Sequence, residues 1–182
     1  MTDDEQAEIR RSLQGDHEAF ASLVRRYQRM IYALTYRMTG SATDAEDLTQ
    51  DVFIRAHHEL AGFRADAKFS SWLYRIAVNQ CLNWRKRIAR RERAHHDWGV
   101  ENANDPGSDS PADAALTQQV NEALQKLPAK QRAAVVLTTY DGLNHAEAAR
   151  LLGCPETTVS WRLFAARRKL KRLLSKSGAA DE

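Results

Sequence analysis

Residues 144–163, NHAEAARLLGCPETTVSWRL, have the spacing of two helices joined by a tight turn. Asn144 and the glutamate three residues later form a capping-box pattern that opens a short helix. Ala149 is small where two helices must cross closely, and Gly153 can take the left-handed conformation that the turn needs. Pro155 suits the first position of the next helix, where its missing N–H costs nothing. The stretch therefore predicts a helix-turn-helix.

The second of these helices carries an aliphatic face and, opposite it, an aromatic and basic one. At about 100° per residue, six side chains fall on one side and are predicted to face the core: Val159, Leu163, Ala166, Leu170, Leu173 and Leu174. Trp161 and Phe164 fall nearly opposite them, so we expect both rings to be exposed or bound to a partner. A helix lying on a membrane would place its aromatic residues on the apolar side. The phase therefore favours a DNA-binding helix over a membrane-surface helix, with a basic flank suited to phosphates.

Length and composition allow one domain or two small ones. The chain has 182 residues, of which 43% are hydrophobic and 28% charged, with a formal net charge of +3. No stretch approaches the roughly 18 apolar residues of a membrane span, and the acidic N-terminus lacks the layout of a signal peptide. Two cysteines are too few for a disulfide framework. We therefore expect a cytoplasmic protein that does not insert into membranes, with reduced and mostly buried thiols.

The first half of the chain has helical periodicity almost throughout, and no stretch shows sustained alternation of polar and apolar residues. Apolar residues predict a helix over His17–Met38, which Gly40 would end. Thr43, followed by a glutamate three residues later, predicts the start of a second helix. Residues 60–71 interrupt the pattern and are predicted to form a loop. A third helix is predicted from about Ser70 to Arg91.

Composition then shifts to a stretch rich in Pro, Gly and Asp with little apolar periodicity. We predict a flexible linker over residues 93–112, between a domain of residues 1–92 and one of residues 113–182. In the second domain one helix is predicted to stop at Pro128 and another to span Ala129–Tyr140. The predicted fold is all-α, with two small helical domains joined by a linker.

Four acidic residues crowd the start of the second helix: Asp44, Glu46, Asp47 and Asp51. Complementing the helix dipole would need only one or two of them, so we predict that the cluster faces a basic partner. A metal site is disfavoured because no Asp-rich calcium loop is present. His95 and His96, near Asp97, lack a matching pair of ligands and are interpreted as solvated. No nucleophile, base and acid occur together, so neither an enzyme nor a cofactor is predicted.

One face of the third helix combines an aromatic residue, two amides and two cations: Trp72, Arg75, Asn79, Asn83 and Lys86. Such a stripe suits a single nucleic-acid strand, whose bases stack on aromatic rings and whose edges bond to amides. We favour this interpretation over a plain solvated face. Trp84 lies off the stripe and is predicted to belong to the core.

Four motifs together resemble a known family: DAEDLTQDVF (44–53), FSSWLYRIAVNQCLNW (69–84), LPAKQRAAVVL (127–137) and LNHAEAARLLGCPETTVSWRLFAARRKLKRLL (143–174). Their order and spacing are similar to those of bacterial RNA polymerase sigma factors of the sigma-70 family, of the extracytoplasmic-function type (ECF, group 4, RpoE-like). The resemblance implies a region 2 helical bundle in residues 1–92 and a region 4 helix-turn-helix in residues 113–182. It also implies promoter-specific initiation of transcription.

The resemblance assigns roles to three sets of residues. Docking on core RNA polymerase is implied for Asp44, Glu46, Asp47, Gln50, Asp51 and Phe53. Recognition and melting of the promoter −10 element, with a flipped-out base, is implied for Phe63, Arg64, Asp66, Lys68, Phe69, Trp72, Arg75, Asn79, Asn83 and Lys86. Recognition of the double-stranded −35 element in the major groove is implied for Thr157, Thr158, Ser160, Trp161, Arg162, Phe164, Arg167 and Arg168. An anti-sigma factor is a further expected partner.

Some positions depart from the family pattern. Ser160, Trp161 and Ala165 replace residues that are often basic or serine in the recognition helix, and Thr138 replaces a common arginine. We therefore predict a −35 preference that differs from the GGAAC-like motif of the family. Thr49 stands where the family mostly has an aliphatic residue, and whether it is modified stays open.

Two other functions remain as alternatives. A stand-alone helix-turn-helix regulator would explain the C-terminal motif, but it would leave the acidic cluster and the polar stripe without a role. A small metal-dependent enzyme would use the carboxylate cluster and would bind divalent ions tightly.

Overall fold

The computed structural model describes residues 3–64, 68–94 and 111–177, and within these ranges it contains helices and no strand. The all-α prediction is confirmed. The helices are α1 (Asp3–Leu13), α2 (His17–Thr39), α3 (Ala42–Glu59), α4 (Phe69–Ala94), α5 (Pro111–Gln125), α6 (Ala129–Val135), α7 (His145–Leu152) and α8 (Glu156–Ser177). A 3₁₀ turn, Leu60–Gly62, follows α3, and a π-helical turn, Val136–Tyr140, continues α6. We call α1–α4 the N-terminal half and α5–α8 the C-terminal half.

Helix α1 was not predicted, because it is held mainly by polar contacts. Glu5 is buried and accepts a hydrogen bond from the Tyr27 hydroxyl. Glu8 accepts a bond of 2.7 Å from Ser22 and lies 2.9 Å from the Arg26 guanidinium. Only Ile9 adds a buried apolar side chain. An apolar periodicity, the signal used to find the other helices, is therefore missing here.

At the junction between α2 and α3, the prediction that Gly40 ends α2 is confirmed, and the prediction that Thr43 caps α3 is wrong. Gly40 has a φ of 77°, and its N–H donates to the Tyr36 carbonyl at 2.7 Å. The residue that caps α3 is Ser41, whose Oγ accepts from the Asp44 N–H at 3.3 Å, and not Thr43. Ser41 has the extended backbone of a cap residue, with φ −131° and ψ 128°, whereas Thr43 already lies inside the helix.

Thr49 lies where α3 meets α2 and its hydroxyl is engaged. Its Oγ1 donates to the Ala45 carbonyl at 2.6 Å and lies 3.0 Å from the buried Oγ1 of Thr35. A hydroxyl in this place has partners on both helices, which accounts for a threonine where an aliphatic residue is usual.

The core of the molecule runs through both halves. The inner face of α3 is buried: Ala45, Leu48, Val52 and Ala56. Leu48, Val52 and Ala56 belong to one continuous cluster that includes Met38 of α2 and Leu73 of α4, and also Leu124 and Val136 of the C-terminal half. The predicted linker of residues 93–112 is described only at its ends, since residues 95–110 lie outside the described ranges. Helix α5 begins at Pro111, two residues before the predicted start of the second domain.

The helix-turn-helix is confirmed in α7 and α8. The Asn144–Glu147 capping box is formed in both directions, and Gly153 has a φ of 58°. One detail is corrected: Pro155 precedes the first residue of α8, and its carbonyl accepts from the Thr158 N–H at 3.0 Å. The proline therefore occupies the cap position and not the first helical position.

The predicted helix Ala129–Tyr140 changes pitch part-way. After Val135 it widens to a π-helical turn, in which the Asp141 N–H donates to the Val136 carbonyl at 3.1 Å. Thr138 Oγ1 donates back to the Ala134 carbonyl at 2.8 Å. Such wide turns are rare and occur mostly as single insertions within α-helices, so nothing in the sequence indicated one.

Candidate nucleic-acid interface

Helix α8 presents two aromatic side chains to solvent, as its phase predicted. Trp161 is 63% exposed and Phe164 is 61% exposed, whereas Val159, Leu163 and Ala166 are buried. The Arg168 guanidinium carbon lies 5.7 Å from the centre of the Phe164 ring, a cation–π contact at the surface. This side of α8 therefore combines two aromatic faces with positive charge.

The far end of α8 is less buried than predicted. Leu170 and Leu173 are half-buried, and Leu174 is 38% exposed, so its assignment to the core is wrong. Helix α8 has 22 residues whereas α7 has 8. The last turns of α8 therefore extend past α7, which cannot cover them.

The other predicted residues of α8 differ in exposure and in whether they form hydrogen bonds within the protein. Thr157, Ser160 and Arg167 are exposed, whereas Thr158 and Arg162 are half-buried. Arg162 donates to the Cys154 Sγ at 3.3 Å, so it braces the turn between the helices. The Ser160 hydroxyl lies 3.1 Å from His145 Nδ1 and donates to the Glu156 carbonyl. The accessible surface of α8 is therefore formed by the exposed members of this set: Thr157, Ser160, Trp161, Phe164, Arg167 and Arg168.

An aromatic cluster closes the base of the loop that precedes α4. Phe63, Phe69 and Trp72 have ring centres 5.3–5.4 Å apart, and Tyr27 of α2 lies 5.6 Å from Phe69. Phe69 is 1% exposed and Trp72 is 8% exposed. The prediction that Trp72 lies on an exposed stripe is therefore wrong, and Phe69 belongs to the core. Phe63, which precedes the loop, and Phe69, the first residue of α4, pack against the ring of Trp72 and cover it.

The rest of the predicted stripe is exposed along α4: Arg75, Asn79, Asn83 and Lys86. Arg64 and Lys68 are also exposed at the two ends of the loop, and Phe63 is half-buried. Asp66 lies outside the described residues. Trp84, predicted to be core, is half-buried and packs against the core, with the Arg85 guanidinium 5.8 Å from its ring centre.

A groove of about 660 Å³ opens beside the aromatic cluster. Its N-terminal wall contains Phe63, Trp72 and the cations of the loop and α4: Arg64, Lys68 and Arg75. Its other wall comes from the C-terminal half, through Leu143, Glu147, Arg150 and Leu151. The sequence predicted the first wall only, because nothing in it indicated that α7 lies opposite.

The acidic side chains of α3 form a second exposed surface. Glu46, Asp47, Gln50 and Asp51 are exposed, and Asp44 is half-buried at the start of the helix. Within the described part of the chain, none of the four acids forms an ion pair. Phe53 was predicted to belong to this surface, but it is 8% exposed and packs in the core. It is on the inner side of α3, next to Val52.

Sequence reasoning missed Ile54, which is 57% exposed. It follows Asp47 by seven residues and Asp51 by three, so all three side chains share one face of α3. An isoleucine at that spacing among exposed acids is the signal that would have found it. We call Asp47, Gln50, Asp51 and Ile54 the α3 face.

The described residues contain neither a helix that is long and apolar enough to cross a membrane nor a group of three or more His, Cys, Asp or Glu side chains that could hold a metal ion. His95, His96 and Asp97 fall outside them. Cys81 is fully buried, and desolvation raises the pKa of its thiol to about 12. Cys154 is half-buried in the turn before α8.

Comparison with known proteins identifies the family. The family description "Sigma-70 region 2" matches residues 23–91, and "Sigma-70, region 4" matches residues 117–170. The ECF RNA polymerase sigma factor SigM of Mycobacterium tuberculosis is 41% identical over 160 residues, which cover 88% of this chain and 79% of the relative. The ECF RNA polymerase sigma-E factor of Escherichia coli is 34% identical over 173 residues, covering 90% of each chain.

Two solved structures share the fold. The sigma factor RpoE of Bartonella quintana, in complex with the anti-sigma factor NepR, has a TM-score of 0.73 at 25% identity and covers 86% of this chain and 96% of its own. CnrH, in complex with the cytosolic domain of CnrY, has a TM-score of 0.68 at 31% identity and covers 96% and 99%. This chain belongs to the ECF sigma factors of the sigma-70 family.

Proposed function

We propose that this sigma factor binds core RNA polymerase through the α3 face and directs initiation at promoters with −10 and −35 elements. The exposed α3 face carries the proposal, because it has no use in a stand-alone DNA-binding regulator. Three of its side chains are acidic or amide, and at one end Ile54 offers an apolar anchor. Interfaces gain most of their affinity from such an anchor among polar neighbours, whereas charge speeds encounter and selects the partner. A basic surface of the polymerase is the partner that this charge fits.

The exposed side of α4 and the loop before it are proposed to hold the melted −10 strand. Phe63 is the accessible member of the aromatic cluster and offers a stacking surface for an unpaired base. Arg64, Lys68 and Arg75 supply positive charge for the phosphates, and Asn79 and Asn83 supply amides that can bond to base edges. In this proposal Phe69 and Trp72 pack against Phe63 and do not contact the DNA themselves.

Helix α8 is proposed to enter the major groove at the −35 element. Its first turns carry Thr157, Ser160 and Trp161 toward the bases, and Arg167 and Arg168 follow as phosphate contacts. Because a tryptophan offers a large apolar face and one N–H donor, it does not recognise guanine as an arginine does. We therefore propose a −35 preference distinct from the GGAAC-like motif.

The proposal divides the work between residues 1–92 and residues 113–182, joined by the linker. Promoter DNA and core polymerase are the partners, and an anti-sigma factor is a third, because both structural neighbours were solved with another protein bound. The protein would act in the cytoplasm beside the polymerase. Binding and strand separation account for the role without a catalytic step or a cofactor.

In vitro transcription with core polymerase tests the proposal. A random promoter library, transcribed with and without this protein, should yield specific transcripts only in its presence, and their upstream sequences give the −10 and −35 elements. Binding to DNA without any specific initiation would support the stand-alone regulator instead. Recovery of plain GGAAC at −35 would contradict the predicted role of Trp161 and Ala165.

A further inference from the structure

A side chain outside the predicted −35 set contacts one of its members. His145, the first residue of α7, places its Nδ1 3.1 Å from the Oγ of Ser160 on α8. Ser160 is exposed beside Trp161, and His145 is half-buried. The contact therefore joins the two helices of the helix-turn-helix on the side that is proposed to meet the −35 element.

The start of α7 fixes where the imidazole lies. The Asn144 Oδ1 accepts from the Glu147 N–H at 2.9 Å, and the Glu147 carboxylate accepts from the Asn144 N–H at 2.9 Å. At the turn between the helices, Arg162 donates to the Cys154 Sγ at 3.3 Å. These bonds brace both helices near the turn, so the motif itself brings the imidazole to the hydroxyl.

The Ser160 hydroxyl has a second neighbour within the protein. A serine hydroxyl carries one proton and two lone pairs. The Ser160 Oγ lies 3.2 Å from the carbonyl of Glu156, one turn earlier on α8, and donates to it. The hydroxyl therefore lies between an imidazole nitrogen and a carbonyl oxygen, while the residue stays exposed to solvent.

Both tautomers of His145 keep the hydroxyl proton inside the protein. When Nδ1 carries a hydrogen, it donates to the Ser160 Oγ, and the hydroxyl donates to the Glu156 carbonyl. Donation into the oxygen also polarises the O–H bond and strengthens the bond to the carbonyl. When Nδ1 carries no hydrogen, it accepts the hydroxyl proton itself. In each case Ser160 has only a lone pair to offer outward.

From this geometry we propose that His145 is a positioning residue that makes Ser160 a hydrogen-bond acceptor, so that Ser160 selects adenine or cytosine on the strand that it faces. In the major groove, adenine and cytosine present an amino group that donates, whereas guanine and thymine offer hydrogen bonding only as acceptors. A serine whose proton is free bonds to bases of either kind. The inference rests on the proposed entry of α8 into the major groove, and it names the chemistry that Ser160 recognises there.

A set of substitutions isolates the role of His145. His145→Ala removes the imidazole and frees the hydroxyl. His145→Asn keeps a polar atom at the position of Nδ1, since the amide oxygen and nitrogen of asparagine are likewise bonded to Cγ. Ser160→Ala removes the hydroxyl that would contact the base. The matched control is His17→Ala, because His17 is also the first residue of its helix and is exposed on α2, in the other half of the chain.

The measurement uses core polymerase reconstituted with each variant and a library of promoters. The base pair that Ser160 faces is the −35 position whose preference Ser160→Ala changes. With the wild type and His17→Ala, adenine or cytosine should be favoured there about fivefold over guanine or thymine, the worth of one neutral hydrogen bond. His145→Ala should reduce this preference to about twofold or less, as expected when the proton is no longer fixed. His145→Asn should retain the preference.

A double-mutant cycle shows whether His145 acts through Ser160. Because removal of the hydroxyl leaves the imidazole nothing to position, His145→Ala should cause no further change in base preference in the Ser160→Ala background. An equal change in both backgrounds would mean that His145 contacts DNA directly, and it would overturn the positioning role. A fall in the melting temperature of His145→Ala, with weaker binding to every base alike, would overturn it as well.

The remaining outcomes are also distinct. A wild-type preference for guanine or thymine at this position would overturn the acceptor assignment, and so would failure of His145→Asn to retain the preference. If the wild type initiates specifically but no −35 position responds to Ser160→Ala, Ser160 does not contact a base, and the inference fails while the proposed function stands. Failure of the wild type to direct any specific initiation would overturn the proposed function, and this inference with it.

Discussion

The rings of Phe63 and Phe69 lie 5.4 Å apart and nearly perpendicular, at 87°. They stand on either side of residues 65–67, so this edge-to-face contact joins the two ends of the loop. Phe69 is buried against Tyr27, whereas Phe63 is half-buried at the edge of the groove. One member of the pair therefore supports the fold, and the other is available to a ligand.

Substitution should separate these two roles. Phe69→Ala removes a fully buried ring and should lower the free energy of unfolding by about 3–5 kcal/mol. Phe63→Ala should cost clearly less stability, yet should weaken open-complex formation at the promoter, because a stacked base is worth about 1–3 kcal/mol. Chemical denaturation and permanganate footprinting of the melted strand measure the two effects. Equal losses of stability would show that Phe63 is only a core residue.

The α3 face should be needed for polymerase binding and not for folding. We expect Asp47→Lys with Asp51→Lys to reduce affinity for core polymerase at least about 100-fold, because each reversed charge would now repel a basic partner. Both residues are exposed, so the melting temperature should stay within the range of surface substitutions. Fluorescence anisotropy with labelled protein measures the binding.

The control for charge is Glu18→Lys with Glu59→Lys, which makes the same change in net charge away from the α3 face. These two acids pair with Arg25 and Arg55 on the exposed surface, where such pairs contribute little. Unchanged binding in the first variant, or an equal loss in the control, would contradict the assignment of the face.

Trp161→Ala should affect DNA and not stability. Its side chain is 63% exposed, so we expect little change in melting temperature and a loss of about 1–3 kcal/mol in −35 binding. Leu163→Ala is the matched comparison, because Leu163 is buried and lies two positions later on the same helix. This substitution should lower the free energy of unfolding by about 2–5 kcal/mol. Gel-shift titration and thermal denaturation check both. A large fall in melting temperature for the tryptophan variant would place Trp161 in the core.

Asp141 should make stability depend on pH in an unusual direction. Burial raises the pKa of its carboxyl to about 6 from an ordinary 3.8, against the opposing effects of Arg37 and the Tyr74 hydrogen bond. The folded protein therefore holds this proton more tightly than the unfolded chain. The stabilisation is present below about pH 4 and is lost as the pH rises through about 6. Asp141→Asn should be insensitive to this change and, allowing for solvent screening, about 1 kcal/mol more stable than the wild type at neutral pH.

Asp16 provides a control, because the pKa of its carboxyl is shifted in the opposite direction to that of Asp141. It caps α2, and the Ala19 N–H and then Arg11 lower the pKa of its carboxyl. Its contribution is present above its ordinary pKa and is lost as the pH falls, so Asp16→Asn should be less stable than the wild type at neutral pH, and this difference should disappear only on acidification in that low range. Thermal denaturation between pH 3 and 8 compares the variants. Parallel curves for wild type and Asp141→Asn would refute the role of Asp141.

The sequence by itself determined the helices other than α1, the turn between α7 and α8, and the outward side of α8. These features depend on local rules: apolar periodicity, a glycine after the last turn of a helix, and the angle between successive side chains. Val159 and Leu163 are four residues apart and lie on one side of α8, so their burial fixes the direction of Trp161 wherever the helix is placed. The charge of the α3 face is likewise visible in the sequence. Ile54 joins that face only when the residues are placed at helical spacing.

The tertiary structure alone decided which residues outside these patterns are buried. Trp72 lies on the polar side of α4, but the rings of Phe63 and Phe69 pack against it and cover it. Arg132 lies four residues before Val136, on the inner side of its helix, and is fully buried because carbonyls of both halves surround its guanidinium. Contacts across 94 residues of sequence depend on how the halves pack, and no local periodicity encodes them. The second wall of the groove follows from that packing.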